Sequence, residues 1–216
     1  MPNPILDRCE KDQADRRLAP FPFSSMNLSC NCGNANYVFM VLSTAGNFER
    51  RSAVRQTYGS KMQQRNHSFC AYFLVGLPKK ESIQAQLEGE SRTHLDIIQS
   101  EFVDDYLNLT IKTMAMLRFA RDRCSATRAV FKIDDDMVLH PKNIFEQSNF
   151  TNLAIYGTIK SNLGVIRNKQ SKWFMPESLY IKSKYPAYAF GSAYVVNTNA
   201  IGPLIEVAES HCQYTH

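Results

Sequence analysis

The stretch "VFKIDDDMVLHP", Val130 to Pro141, decides how this chain is read. Its first residues are mostly apolar and run straight into three consecutive carboxylates, Asp134, Asp135 and Asp136. A short apolar run of this kind suits a buried strand. A buried strand that ends in three like charges is under electrostatic stress, because the charges repel and an unpaired buried carboxylate is costly. Something positive belongs at its end.

Working outward, "YVFMVLS" (37–43) and "FCAYFLVG" (69–76) are continuous apolar runs suited to strands buried on both faces, and "DIIQSEF" (96–102) is a shorter one. Helical segments lie between them. "TAGNFERRSAVRQTYG" is a loop and a helix closed by Gly59, and "PKKESIQAQLEGESRTH" is an exposed helix. From Tyr106 to Arg123, Leu107, Ile111, Met114 and Leu117 recur at spacings of four and three, on one helix face. Strands alternating with helices predict an α/β domain with a mostly parallel, Rossmann-like sheet flanked by helices. Further on, "NLAIYGTIK" and "YAFGSAYVVN" are strand-like, and "TNAIGPLIEVAESHC" is helical with Thr198 or Asn199 as its cap. Residues 1–35 are polar and Pro-rich, a stem or disordered tail; 36–216 form the folded domain. In open α/β sheets ligands bind beyond the carboxyl ends of the strands. The triplet stands at such an end, and the loop after the first strand brings Arg50, Arg51 and Arg55 to the same side.

The 216 residues suit one domain with a sizeable core. The net charge of +5 is spread along the chain without a basic stripe or a known module, which argues against a nucleic-acid partner. Six cysteines, Cys9, Cys30, Cys32, Cys70, Cys124 and Cys212, permit three disulfides whose pairing stays open. Cys30-x-Cys32 has neither zinc nor redox spacing. Four N-glycosylation acceptors, at Asn27, Asn66, Asn108 and Asn149, join the cysteines in pointing to the secretory pathway. No segment has the apolar core of a signal peptide or the length to span a bilayer. The expectation is therefore a chain whose entry signal lies outside it.

Clustered carboxylates on a loop are hard oxygen ligands suited to Mg²⁺ or Mn²⁺, and such an ion can bridge them to a departing diphosphate. The plain alternative is an acidic turn or a helix N-terminus, where aspartate is also favoured; it leaves the repulsion unexplained. A phosphatase of the haloacid-dehalogenase type would match at Asp134, Asp136 and Val138, with Asp134 as nucleophile. That chemistry needs a later acidic pair, and no aspartate occurs from Met137 to His216.

Four segments, in order, resemble the β-1,3-galactosyltransferase and β-1,3-N-acetylglucosaminyltransferase family. "ERRSAVRQTYG" resembles its R-x-x-[IV]-R-x-T-[WY] motif, and "EFVDDYLNLTIKT" its D-F-x-D-x-Y-x-N-L-T-x-K-T segment. "VFKIDDDMVLHP" is similar to its K-x-D-D-D motif, and "KWFMPESLYIKSKYPAYAFGSAYVV" to its K-W…Y-P-x-Y-x-x-G-x-x-Y-V segment. The resemblance runs from Tyr37 to Ile205. It implies a GT-A fold, a UDP-sugar donor (UDP-galactose or UDP-N-acetylglucosamine), Mn²⁺, and inverting transfer in β-1,3 linkage to a glycan on a glycoprotein or glycolipid. It also implies a type II membrane protein of the Golgi, held by an anchor that this chain does not contain.

By that resemblance Asp136 holds the metal, with Asp134 reaching it too, while Asp134 and Asp135 face the ribose and sugar of the donor. Lys132 is a donor-site residue or a plain surface lysine. Arg51 and Arg55 lie one turn apart and share a helix face, where guanidinium forks suit phosphate or uracil; surface salt bridging is their alternative. Lys112 points toward the donor site. Trp173, Tyr188 and Gly191 line the acceptor cleft, an aromatic ring packing on the C–H face of a sugar; core packing is the alternative for the aromatics. Ala193 stands where the family usually has a second glycine. The family's Glu-Asp-Val motif, whose acidic residue is its favoured base, has no counterpart. The remaining late carboxylates are Glu146, Glu177, Glu206 and Glu209, and His211 and His216 match no motif, so no catalytic residue is assigned. Two functions follow: a hexosyltransferase represented by a chain truncated at both ends, or a catalytically inactive glycan- or nucleotide-binding protein of the same fold.

Overall fold

An apolar run with no polar face has nowhere to go but between two layers, and the strands here obey that rule. β1 (Tyr37–Leu42) is buried at every position, and β4 (Ala129–Asp134) is buried until its last residue. The structure, a computed structural model, describes residues 22–23, 28–59, 69–140 and 154–210. β2 (Phe69–Leu77) and β3 (Ile97–Val103) complete a parallel set with β1 and β4. β5 (Ile155–Lys160) and β6 (Tyr188–Asn197) extend it, β6 running antiparallel to both β4 and β5. The order across the six-stranded sheet is β3-β2-β1-β4-β6-β5.

The chain leaves β1 toward β2 and β3, then returns to place β4 on the other side of β1. A crevice opens at such a reversal, above the carboxyl ends of the two strands. The register sets Leu42 beside Asp134 at that edge, so the residues after β1 and the aspartate triplet meet there.

Alternation along the strands divides the core in two. Val38, Met40, Leu42, Tyr72, Leu74 and Val130 face one side, which is covered by α3 (Leu109–Arg123) and α4 (Thr198–Ser210). Phe39, Val41, Phe73, Val75, Phe131 and Ile133 face the other, which is covered by α1 (Phe48–Val54) and α2 (Glu81–His94). Helix α3 is buried almost all round from Met114 to Ala120, because α4 lies against its outer side. A π-helical turn, Arg55–Gly59, continues α1. A Cβ on Gly59 would sit 2.9 Å from the Val54 carbonyl oxygen, so glycine is what lets this turn close. The cap of α4 is neither Thr198 nor Asn199: the Asn197 side chain accepts from the Asn199 N–H at 3.0 Å, because the helix starts directly from β6.

Two disulfides, Cys30–Cys70 and Cys32–Cys124, tie the segment before β1 to β2 and to the end of α3. No described helix is long and apolar enough to cross a membrane. Asn27, Asn66 and Asn149, with Cys9, Cys212, Glu146, His211 and His216, lie outside the described residues.

The bridges span 40 and 92 residues. Loop-closure entropy makes removal of either worth about 2–5 kcal/mol, with Cys32–Cys124 the larger by about 0.7 kcal/mol. Urea unfolding of the Cys30→Ala/Cys70→Ala and Cys32→Ala/Cys124→Ala variants checks both size and order. The reverse order would show that local packing, not loop closure, sets the loss.

Candidate functional site

The site is built around Asp135, which is buried directly after β4. A buried carboxylate needs donors, and three segments supply them. Ser43, the first residue past β1, donates its hydroxyl to Asp135 Oδ2 at 2.7 Å. Asn47 Nδ2 donates to the same oxygen at 2.8 Å, and Arg50 Nη1 to Oδ1 at 2.9 Å. Asn47 occupies the N-cap position of α1 yet makes no capping bond; its amide serves Asp135.

The neighbouring aspartates are treated differently. Lys132 lies one residue pair below Asp134 on the same strand face, and its ammonium donates to Asp134 Oδ1 and to the Gly191 carbonyl of β6. It also lies over the Tyr194 ring, 5.8 Å from its centre. Lys132 is thus buried rather than a surface lysine, and it joins β4 to β6 beneath the triplet. Burial pushes the Asp134 carboxyl up; Lys132 pulls it back, Asp136 and Asp135 push it further, and it stands above its ordinary value. Asp136 is exposed, with the Arg50 guanidinium at 3.5 Å.

Lys112, on the first turn of α3, is a second buried cation. Its Nζ donates to Asp104 Oδ1 and to the Ser43 carbonyl, each at 2.7 Å. Burial holds its pKa below the ordinary lysine value, against the opposing pull of Asp104, Asp135 and Asp134. Through the Ser43 carbonyl it fixes the backbone of the loop that carries Ser43. Asp104 in turn accepts from the Gly76 N–H, and a Cβ on Gly76 would meet the Phe102 carbonyl at 2.7 Å.

Arg51 and Arg55 share a helix face, but that face turns inward onto Glu90 and Asp96, so their guanidinium forks are taken up by protein carboxylates. Every nitrogen of the Arg51 guanidinium, which is wholly buried, is engaged: by Glu90, by the Ser43 hydroxyl and by the Thr44 and Ala45 carbonyls. Arg55 forms a fork with Asp96, at 2.8 Å on both arms, and reaches Glu90 at 2.7 Å. Arg51 therefore acts on the site only through the loop it holds. The hydroxyl of Tyr58 is buried without a partner among the described residues, and burial together with the Asp135 charge pushes its pKa up to about 12.

Trp173 is 56% exposed and stands on the long connection between β5 and β6. Lys172 lies over its ring at 4.6 Å and over the Tyr106 ring at 5.9 Å, so this connection reaches the loop after β3. Tyr188 is also exposed, at the start of β6. Nothing lies within 4 Å of where a Cβ on Gly191 would be. Asn108 donates its amide to the Val103 carbonyl at the entry to α3.

The residues that sequence patterns did not single out are Ser43, Asn47 and Asp104, and Arg50 as a partner of the triplet. Ser43 and Asn47 lie 92 and 88 positions from Asp135, so no local spacing links them. The available signal was weak: small polar residues directly after a buried strand, at the end where sites form.

For a divalent cation, Asp134 and Asp136 offer hard carboxylate oxygens, one of them incompletely compensated, so the donor set fits in kind. Among the described residues no group of three or more His, Cys, Asp or Glu side chains converges as a closed cage. A cation here would take its other ligands from a bound phosphate and from water, as Mg²⁺-like ions commonly do.

The galactosyltransferase family profile matches residues 49–216. β-1,3-Galactosyltransferase 5 of Gorilla gorilla gorilla is 32% identical over 176 residues, covering 80% of this chain and 59% of the relative. β-1,3-Galactosyltransferase 1 of Mus musculus is 29% identical over 214 residues, covering 93% and 64%. The chain thus spans about three fifths of the length of these relatives. Among solved structures, the galactosyltransferase LgtC in complex with donor and acceptor sugar analogues aligns at 11% identity with a TM-score of 0.43, over 82% of this chain and 66% of that one.

The buried Arg51–Glu90–Arg55 cluster carries a stability test. Burial alone would raise the Glu90 carboxyl, but hydrogen bonds and charges from Arg51 and Arg55 outweigh it and hold it below its ordinary value of 4.5. Its contribution is therefore complete above that value and lost as pH falls through the lowered folded value. Glu90→Gln is expected to cost about 3 kcal/mol at neutral pH. The gap to the unsubstituted protein should narrow on acidification, read by urea unfolding across pH 7 to 3.

Proposed function

The chain belongs to the galactosyltransferase family, and from that membership we propose that it serves a hexosyltransferase. That enzyme moves galactose or N-acetylglucosamine from a UDP-sugar to a glycan in β-1,3 linkage. One observation carries the donor half of this reading. Three donors hold Asp135 rigidly at the reversal point of the sheet, while Asp134 and Asp136 on either side keep oxygens for a ligand.

In this reading Asp134 and Asp136 hold Mn²⁺. The ion, when bound, supplies positive charge to the diphosphate leaving group. The chain's own residues set the geometry for it. Lys132 orients the Asp134 carboxylate from below. Ser43, Asn47 and Arg50 prevent Asp135 from turning into the crevice. The buried charge of Lys112 adds positive potential beneath the same loop without touching solvent. A preorganised arrangement of this kind does not have to reorder when charge develops on the departing phosphate. Trp173 and Tyr188, exposed on the β5–β6 side, support an acceptor wall of aromatic rings. No described carboxylate is assigned the role of base.

Two disulfides among the described cysteines support an oxidising compartment, and the Golgi is the setting we assign. UDP binding measured by calorimetry with and without Mn²⁺ tests the donor site. Asp136→Ala is expected to weaken Mn²⁺-dependent binding at least ~100-fold, since even partners behind a metal ligand are worth 10–100-fold. Equal binding by both proteins, or binding indifferent to a chelator, sinks the assignment.

A further inference from the structure

Four cations surround the triplet, and three of them are committed. Arg51 is wholly buried with every nitrogen engaged, and Lys112 and Lys132 are buried against Asp104 and Asp134. Arg50 differs. Its side chain is 52% exposed, and Nη1 alone serves the site, at 2.9 Å from Asp135 Oδ1 and 3.5 Å from Asp136 Oδ2. Its Nε and Nη2 make no bond among the described residues. The contact to Asp136 joins two solvent-exposed groups at a long distance, and such pairs hold weakly. The contact to Asp135 reaches a buried oxygen and is the firm one.

We infer that Arg50 is an internal counter-ion of the donor site, which a divalent cation must displace from Asp136 and which then serves the diphosphate. The inference rests on the metal–diphosphate reading above and adds to it a residue outside the R-x-x-[IV]-R-x-T-[WY] pattern, which begins at Arg51. Before ligand binds, the guanidinium lends Asp136 a positive charge and so opposes a cation there. Once a cation takes Asp136, Arg50 stays tethered through Asp135, which Ser43 and Asn47 hold independently. Its unused N–H groups lie at the edge of the site, and guanidinium forks match phosphate oxygens. Arg50 thereby works against metal alone and in favour of metal with nucleotide. The two ligands become interdependent, each raising the affinity of the other by the same factor.

The test uses Mn²⁺ and UDP on the protein and on Arg50→Met and Arg50→Lys, with free Mn²⁺ counted by electron paramagnetic resonance and UDP affinity measured by calorimetry. Removing a unit charge beside the carboxylates should tighten Mn²⁺ binding without nucleotide about tenfold. Losing a charge-assisted contact should weaken UDP binding at saturating Mn²⁺ about tenfold. Arg50→Lys keeps the charge but not the fork, so it should bind Mn²⁺ alone like the unsubstituted protein and still bind UDP more weakly. Melting temperatures confirm that all three are folded; if the methionine variant is not, the lysine variant and Arg50→Gln carry the comparison. If the unsubstituted protein binds both ligands and the Arg50 variants match it, the inference falls while the donor site stands. Weaker Mn²⁺ binding in Arg50→Met also overturns it, because the guanidinium would then support the metal site rather than compete. If the unsubstituted protein binds neither ligand, the donor-site reading falls and takes this inference with it.

Discussion

The buried carboxylate of Asp135 is the constraint on which the rest of the site depends. A charge withdrawn from water has to be met by donors, and none is available from β4 itself, whose backbone is occupied by β1 and β6. The donors come from the end of β1, the entry of α1 and its first turn. One side chain thus fixes how the β1–α1 connection sits over the β4 terminus. That connection is held from the other side as well: Arg51 binds the carbonyls of Thr44 and Ala45, and Lys112 binds that of Ser43. The loop is gripped by cations through its carbonyls and by an anion through its side chains, so its conformation is determined twice over.

This arrangement also resolves the electrostatic stress of three adjacent aspartates. Each is neutralised by a different route: Asp135 by burial among donors, Asp134 by Lys132 from within the strand, and Asp136 by solvent and Arg50. The compensation is uneven. Asp134 remains above its ordinary pKa because Lys132 does not fully offset burial and the neighbouring charges. Asp134 and Asp136, on either side of the buried Asp135, are the less completely enclosed carboxylates of the three.

Much of the architecture was legible because burial on both faces leaves a plain signature. The runs at 37–43, 69–76 and 96–102, and the one ending in the triplet, each became a strand of the parallel set. That the triplet and the loop after β1 share the carboxyl-end side was legible; that β4 lies directly beside β1 comes from the observed strand order. Direction was not legible for the charged helix face. Spacing correctly put Arg51 and Arg55 on one side of α1, but an arginine pair looks the same whether it faces solvent, a phosphate or a buried Glu90 and Asp96. Lys132 was ambiguous for a related reason. It alternates with Phe131 and Ile133 and so points to the opposite face, which Val130 shares; that face is covered here, and Lys132 bonds the Gly191 carbonyl of β6. The disulfide pairing and the Ser43 and Asn47 contacts depend on residues 40 to 92 positions apart, which only the sheet brings together.

The two sides of the crevice are stabilised by different physics. The β1–β4 side rests on a two-faced apolar core and on buried ion pairs, and its geometry is correspondingly rigid. The β5–β6 side has few fully buried residues, and the connection between those strands is held by backbone hydrogen bonds together with cations and rings. Arg167 gathers the Met175, Tyr180 and Lys182 carbonyls, Tyr180, Tyr185 and Tyr188 form a chain of ring contacts, and Lys172 bridges Trp173 to Tyr106. Contacts of this kind hold a segment in place without closing it off from solvent, and they leave aromatic faces exposed. A nucleotide diphosphate needs the first kind of wall, because its charges must meet fixed partners. A sugar, recognised through C–H faces and hydroxyls, is served by the second, where rings can adjust. On the proposed reading, the donor would meet the first kind of wall and the acceptor the second.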